Sequence, residues 1–164
     1  MTRRFPEEER RAVFAGSFNP FTLGHLSVLR RGLELFDHVT VVIGINDSKG
    51  ADGAETERRL EAVRRAVEGL DGVDVISWSG LTVDAARSCG ARWLLRGVRN
   101  VADFEYERGM AEVNRMISGI DTVLLFAEPE LAALSSSMVR ELEKYGVDTS
   151  RFVPGGIPNN ENTK

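Results

Sequence analysis

Gly16-Ser17-Phe18-Asn19-Pro20-Phe21-Thr22-Leu23-Gly24-His25 is the stretch on which the fold turns. The apolar run Ala12-Val13-Phe14-Ala15 precedes it, and Leu26, Leu29, Leu33 and Phe36 follow at helical spacing. The order reads as strand, tight glycine- and proline-containing loop, then a helix with a histidine in its first turn. A helix start offers free backbone N–H groups and a partial positive charge, so it favours anions, phosphate above all. A histidine there adds one more donor or a full charge.

The same alternation repeats along the chain. Strands are expected at 12–18, 38–45, 73–78, 93–96 and 122–127, and helices at 24–36, 56–69, 82–88, 104–117 and 136–145. Five β segments, each followed by a helix, predict an α/β fold: one doubly wound domain around a five-stranded parallel sheet. Val39-Thr40-Val41-Val42-Ile43 is apolar almost throughout, as a strand covered on both faces should be. No internal repeat, linker or low-complexity segment divides the chain. Residues 1–10 read as a solvated extension, 11–154 as the domain, and the Gly-, Pro- and Asn-rich 155–164 as a loose tail.

Composition limits the function classes. The chain has 164 residues, 42% hydrophobic and 28% charged, enough for one domain with a real core. A net charge of −4 argues against nucleic-acid binding by bulk electrostatics, so a phosphate site must be built locally from a few Lys and Arg. No apolar stretch approaches the ~18 residues of a membrane span. The single cysteine, Cys89, forms no intrachain disulfide and suits a reducing cytoplasm. It reads as a small buried residue on a helix.

In doubly wound sheets ligands bind beyond the carboxyl ends of the strands, where the strand order reverses. Residues with phosphate chemistry follow each expected strand: His25, then Lys49 in Asn46-Asp47-Ser48-Lys49-Gly50, Thr82, Arg96 and Arg99 in Arg96-Gly97-Val98-Arg99, and Ser135-Ser136-Ser137. Arginine grips phosphate bidentately and stays charged at any working pH, although pairing with Asp103 and Glu105 would occupy both arginines. One serine suffices to cap the helix at 136, so the triplet leaves two to explain. Glu107 stands where a carboxylate can orient the arginines or accept hydrogen bonds from a ribose. A P-loop lysine motif, a Gly-x-Gly-x-x-Gly after the first strand and a His/Cys metal cluster are all missing from the sequence.

These motifs together resemble those of bacterial phosphopantetheine adenylyltransferases, of the nucleotidyltransferase superfamily with the TxGH/HxGH motif. Residues 16–25 look like the family's G-T-F-D-P-x-T-x-G-H. Arg96-Gly97-Val98-Arg99 with Asp103-Phe104-Glu105-Tyr106-Glu107 looks like its R-G-[LIV]-R-x-x-x-D-F-E-Y-E, and Ser135-Ser136-Ser137-Met138-Val139-Arg140-Glu141 looks like its S-S-[ST]-x-V-[KR]-E. The resemblance implies a Rossmann-like fold and the reaction of ATP, with Mg²⁺, and 4'-phosphopantetheine to dephospho-coenzyme A and pyrophosphate. It places Ser17, Lys49, Thr82 and Arg96 on the pantetheine substrate. On ATP it places Ser17, Phe18, His25, Gly97, Val98, Arg99, Glu107 and the stretch Leu131, Ala132, Ala133, Leu134, Ser135, Ser136 and Ser137. His25, Lys49 and Arg96 become the catalytic set, with His25 stabilising the transition state. It further implies a homohexamer, inhibition by coenzyme A in the active site, and a cytoplasmic enzyme with neither nucleic-acid nor membrane partner.

Three departures stand out. Ser17 replaces threonine but keeps the hydroxyl, Asn19 replaces an aspartate near the phosphate site, and Leu131 stands where many members carry a tryptophan beside adenine. Two other readings compete: an adenylyltransferase acting on nicotinamide mononucleotide, which should lack the D-F-E-Y-E segment, and a non-catalytic nucleotide or coenzyme A sensor, which need not keep His25, Lys49, Arg96 and Arg99 together.

Overall fold

A computed structural model describes residues 8–46 and 53–156. Five strands, β1 (Arg11–Gly16), β2 (His38–Ile45), β3 (Val73–Ser79), β4 (Trp93–Val98) and β5 (Asp121–Phe126), form one sheet in the order β3-β2-β1-β4-β5. Every pairing is parallel. The helices are α1 (Leu23–Leu35), α2 (Gly53–Ala66), α3 (Thr82–Ser88), α4 (Val101–Ser118) and α5 (Ser136–Lys144). The expected alternation and sheet are present, with ends shifted by a few residues. The largest shifts are in α2, which runs Gly53–Ala66 rather than 56–69, and at the start of α4, Val101 rather than 104. Asn100 caps α4, accepting from the Asp103 N–H at 2.8 Å.

The two faces of the sheet hold separate cores. Phe14, Val39, Val41 and Ile43 pack with Leu29 of α1 and Leu60 and Val63 of α2 on one face, and Val13, Val42 and Leu94 pack with Val83, Ala85 and Ala86 of α3 on the other. That is why β2 is apolar along its whole length. Trp78 and Trp93 pack against these cores. Cys89 ends α3 as its C-cap residue and is half-buried. Residues 8–10 of the expected extension are tied to the domain: Asp37 N–H donates to the Arg10 carbonyl at 2.9 Å, and Arg10 pairs with the Asp37 carboxylate. Residues 1–7, and most of the expected tail, lie outside the described residues.

The sheet opens at one place. β1 pairs with β2 through Gly16↔Ile43, and β4 with β5 through Val98↔Phe126. Between β1 and β4 the ladder stops after Ala12↔Trp93 and Val13↔Leu94. These are the strands between which the chain order reverses, so their carboxyl ends frame the crevice that doubly wound folds use for ligands. Helix α1 lies close over β4 there. A Cβ on Gly97 would come within 2.8 Å of Val28 Cγ2, so only glycine lets the helix approach this near.

Candidate active site

The crevice is a cleft of about 380 Å³. Its walls come from the end of β1 and the turn 17–20, the start of α1, the end of β4, one side of α4, and the segment leading into α5. Ser17, Phe18, His25, Arg96, Gly97, Val98, Arg99, Glu107, Leu131, Leu134 and Ser135 to Ser137 all line it. Ala132 and Ala133 do not. Lys49 lies outside the described residues. Thr82 lines a neighbouring cavity of about 140 Å³ with Tyr106, Met110, Asn114 and Thr122; Arg96, Tyr106 and Glu107 border both cavities. The two spaces therefore meet at Arg96.

His25 is fixed by the chain just before it. Thr22 is the N-cap of α1 and His25 its third residue. The His25 N–H donates to Thr22 Oγ1 at 3.3 Å, and the Thr22 N–H donates back to His25 Nδ1 at 2.9 Å. This capping box, with histidine in the place usually held by Glu or Gln, satisfies two helix-start amides. Because Nδ1 accepts, the ring proton sits on Nε2. Phe18 and Phe21 pack on the imidazole with ring centroids at 5.0 and 5.4 Å. Burial, and then the charges of Arg96 and Arg99, lower the His25 pKa to about 4. At neutral pH His25 is thus an uncharged donor. Thr22 was not singled out from the sequence, although a threonine three residues before the helical histidine is the N-cap signature.

Arg96 points into the gap left by the open ladder. Its Nη1 donates to the Ala15 carbonyl, an acceptor that the missing β1–β4 pairing leaves free. Its Nε and Nη2 donate to the two carboxylate oxygens of Glu107 at 2.9 and 2.6 Å. Glu107 is the one buried residue of α4. Both its oxygens serve Arg96, so of the two roles considered for it, orienting the arginine is the one occupied here. Arg99 Nε donates to Asp103 Oδ2 at 2.9 Å, and against the opposing effect of burial the hydrogen bonds and charge of Arg99 hold the Asp103 carboxyl below its usual range. Asp103 is among the partners expected for the arginines; Glu105 makes no ion pair among the described residues.

The serine triplet divides its labour. Ser135 caps α5, accepting from the Met138 N–H at 3.1 Å. Ser136 donates to the Pro20 carbonyl at 2.8 Å, and Ser137 accepts from Arg140 Nη2 at 3.3 Å. The turn itself is held from behind: Arg59 of α2 donates to the Ser17 carbonyl at 3.0 Å and Arg140 of α5 to the Asn19 carbonyl at 2.5 Å. Between these two carbonyls Phe18 has φ +46°, a left-handed conformation a non-glycine residue holds only when its surroundings impose it. Arg59 carried no signal in the sequence, because its partner is a main-chain atom far along the chain.

The cytidylyltransferase-like family model matches residues 13–142. A phosphopantetheine adenylyltransferase of Bacteroides fragilis is 46% identical over 90% of this chain and 98% of its own. One from Porphyromonas gingivalis is 49% identical over 89% of this chain and 95% of its own. Among solved structures, a bifunctional NMN adenylyltransferase/ADP ribose pyrophosphatase from Francisella tularensis superposes with a TM-score of 0.61. It is 16% identical, and the match covers 92% of this chain and 46% of that one, so it speaks for the fold alone.

Proposed function

The chain belongs to the phosphopantetheine adenylyltransferases, within the cytidylyltransferase-like family, and from that premise we propose how its residues share the work. The enzyme transfers the adenylyl group of ATP to 4'-phosphopantetheine, giving dephospho-coenzyme A and pyrophosphate, a step of coenzyme A biosynthesis. The observation that carries our assignment of roles is the meeting of two cavities at Arg96.

ATP occupies the larger cleft, its triphosphate at the starts of α1 and α5 with Arg99 and the serines 135–137. The pantetheine arm enters the smaller cavity past Thr82. Its mixed lining suits an arm that alternates amide and methylene groups, and the buried Thr122 hydroxyl there lacks a partner among the described residues. The two phosphates then face each other at Arg96. An oxygen of the pantetheine phosphate attacks the α-phosphorus, and the bond to the pyrophosphate oxygen breaks. A phosphate dianion is already a nucleophile, so the protein supplies position and charge stabilisation rather than a base. His25 donates from Nε2 to the α-phosphate oxygens as charge builds, and Arg96, held rigid by Glu107 and Ala15, restrains the attacking phosphate. Lys49 completes the set expected from the motif.

Among the described residues no group of three or more His, Cys, Asp or Glu side chains gathers to hold a metal, and Asp103 and Glu107 are engaged by arginines. A Mg²⁺ would then be held chiefly by ATP rather than by these side chains, and would supply charge neutralisation there. Coenzyme A, sharing both halves of the product, is proposed to inhibit by filling the same space.

The assembly expected from the resemblance, a homohexamer, has support in α4. Val101, Met116 and Ile117 on that helix and Phe126 on β5 are 77, 84, 53 and 70% exposed, and β5 is a sheet edge. Apolar surface of this kind on one side of a domain marks an interaction face, here for a second copy of the chain. No described helix is long and apolar enough to cross a membrane.

Steady-state turnover with ATP, Mg²⁺ and 4'-phosphopantetheine, with dephospho-coenzyme A detected by mass, tests the reading. Pyrophosphate release with nicotinamide mononucleotide and none with 4'-phosphopantetheine would overturn it.

A further inference from the structure

A third cavity, of about 340 Å³, adjoins the turn 17–20 between α2 and α5. Arg58 and Arg59 of α2 and Arg140 and Lys144 of α5 line it, against two carboxylates, Glu55 and Glu143. Glu143 is partly engaged, since its Oε1 accepts from the Thr149 hydroxyl at 2.8 Å. Asn19, also on the wall, brings no charge. Neither Arg58 nor Lys144 has an ion-pair partner among the described residues. Arg59 contributes a buried Nε–H with no acceptor there. Unpaired cations held side by side repel one another, and a polyvalent oxyanion relieves that repulsion. The cavity borders the active site, since Arg140 lines both.

We propose that this basin binds pyrophosphate, the leaving group of the adenylyl transfer, at a station separate from the cleft. The proposal rests on the reading that pyrophosphate is released next door. Its chemistry is the one the basin selects: several negative charges, oxygens on every side, and no apolar part. Arg59 and Arg140 each spend a nitrogen on a carbonyl of the catalytic turn, so the anion would bind on the far side of the same guanidinium groups that hold Ser17 and Asn19.

The test is isothermal titration of inorganic pyrophosphate into the intact protein with its cleft saturated by α,β-methylene-ATP. One pyrophosphate per chain is expected. The double variant Arg58→Ala/Lys144→Ala, whose positions do not line the cleft, should bind it about tenfold or more weakly, since two charge-assisted contacts are lost, and should keep its kcat/KM for ATP. No binding to the ATP-saturated protein, or equal affinity in the double variant, overturns the proposal. Failure of the enzymatic reading would show instead as absence of dephospho-coenzyme A in the turnover assay, whatever the isotherm.

Discussion

The Thr22 N–H donates to Nδ1 of His25 across 2.9 Å, and through that one bond the helix cap sets the tautomer of the residue proposed to face the reacting phosphate. A neutral imidazole with its proton on Nε2 offers one donor in one direction. Burial and two neighbouring arginines keep it uncharged, so among the described residues the cationic character of the cleft comes from Arg96, Arg99 and Arg140.

Replacing His25 by alanine should lower kcat by about 10²–10³, the usual cost of losing one donor to a transition-state oxyanion, while circular dichroism still reports the native fold. A variant turning over at nearly the native rate would remove His25 from this role.

The pH dependence follows from the lowered pKa. Protonation with a midpoint near 4 removes the Nδ1 acceptor, so the His25 contribution to activity should be flat above about pH 5 and fail near 4, not near 6.5. Stability moves the same way. The folded pKa lies below the ordinary 6.5, so the unfolded chain takes up this proton first and the folded state loses stability as pH falls from 6.5 through 4. The Tm difference between native protein and His25→Gln should shift against the native chain across that window. A difference independent of pH would contradict the assignment.

Glu107→Gln keeps the shape of the carboxylate but removes its charge. Arg96 should lose its fixed orientation, raising KM for 4'-phosphopantetheine and lowering kcat together, with stability down by about 1–3 kcal/mol because a partly buried guanidinium loses its charged partner. An unchanged KM for 4'-phosphopantetheine beside a raised KM for ATP would instead mean that Glu107 touches the nucleotide directly.

Gly97→Ala should destabilise the domain by about 1–3 kcal/mol, since its methyl would press on Val28 Cγ2. Adding Val28→Ala should recover much of the loss. Thermal melts of the two variants decide the matter: no recovery in the double variant would show that the contact is not the cause.

On α4, Met116→Glu with Ile117→Glu should dissociate the proposed assembly. Sedimentation velocity would then report single chains where the native protein sediments as a larger species; native protein that sediments as a single chain would count against the hexamer.

Much of this was readable from the chain because it is written locally. Apolar runs such as Val39 to Ile43 and the spacing of Leu26, Leu29 and Leu33 announce strand and helix without knowledge of the rest. The residues gathered in the cleft were foreseeable because they stand at strand ends, and such folds bring those ends together. The pairing was harder to see. Arg96 meets Glu107 because β4 and α4 fold back on each other, and composition does not favour Glu107 over Glu105. The starts of α2 and α4 were set too late because Gly53 and Val101 are poor helix signals, and the cap at Asn100 outweighs propensity at the second. Nothing marks Arg59 as a support of the turn, since a main-chain acceptor leaves no trace in side-chain identity.

The grip of Arg140 on Asn19 and of Ser136 on Pro20 spans 121 and 116 residues of chain. On the ribosome, the turn is made well before the side chains that clasp it. A nascent chain that has folded its early strands still lacks the side chains that hold Asn19 and Pro20 in place, so it should consume no ATP until α5 has been made.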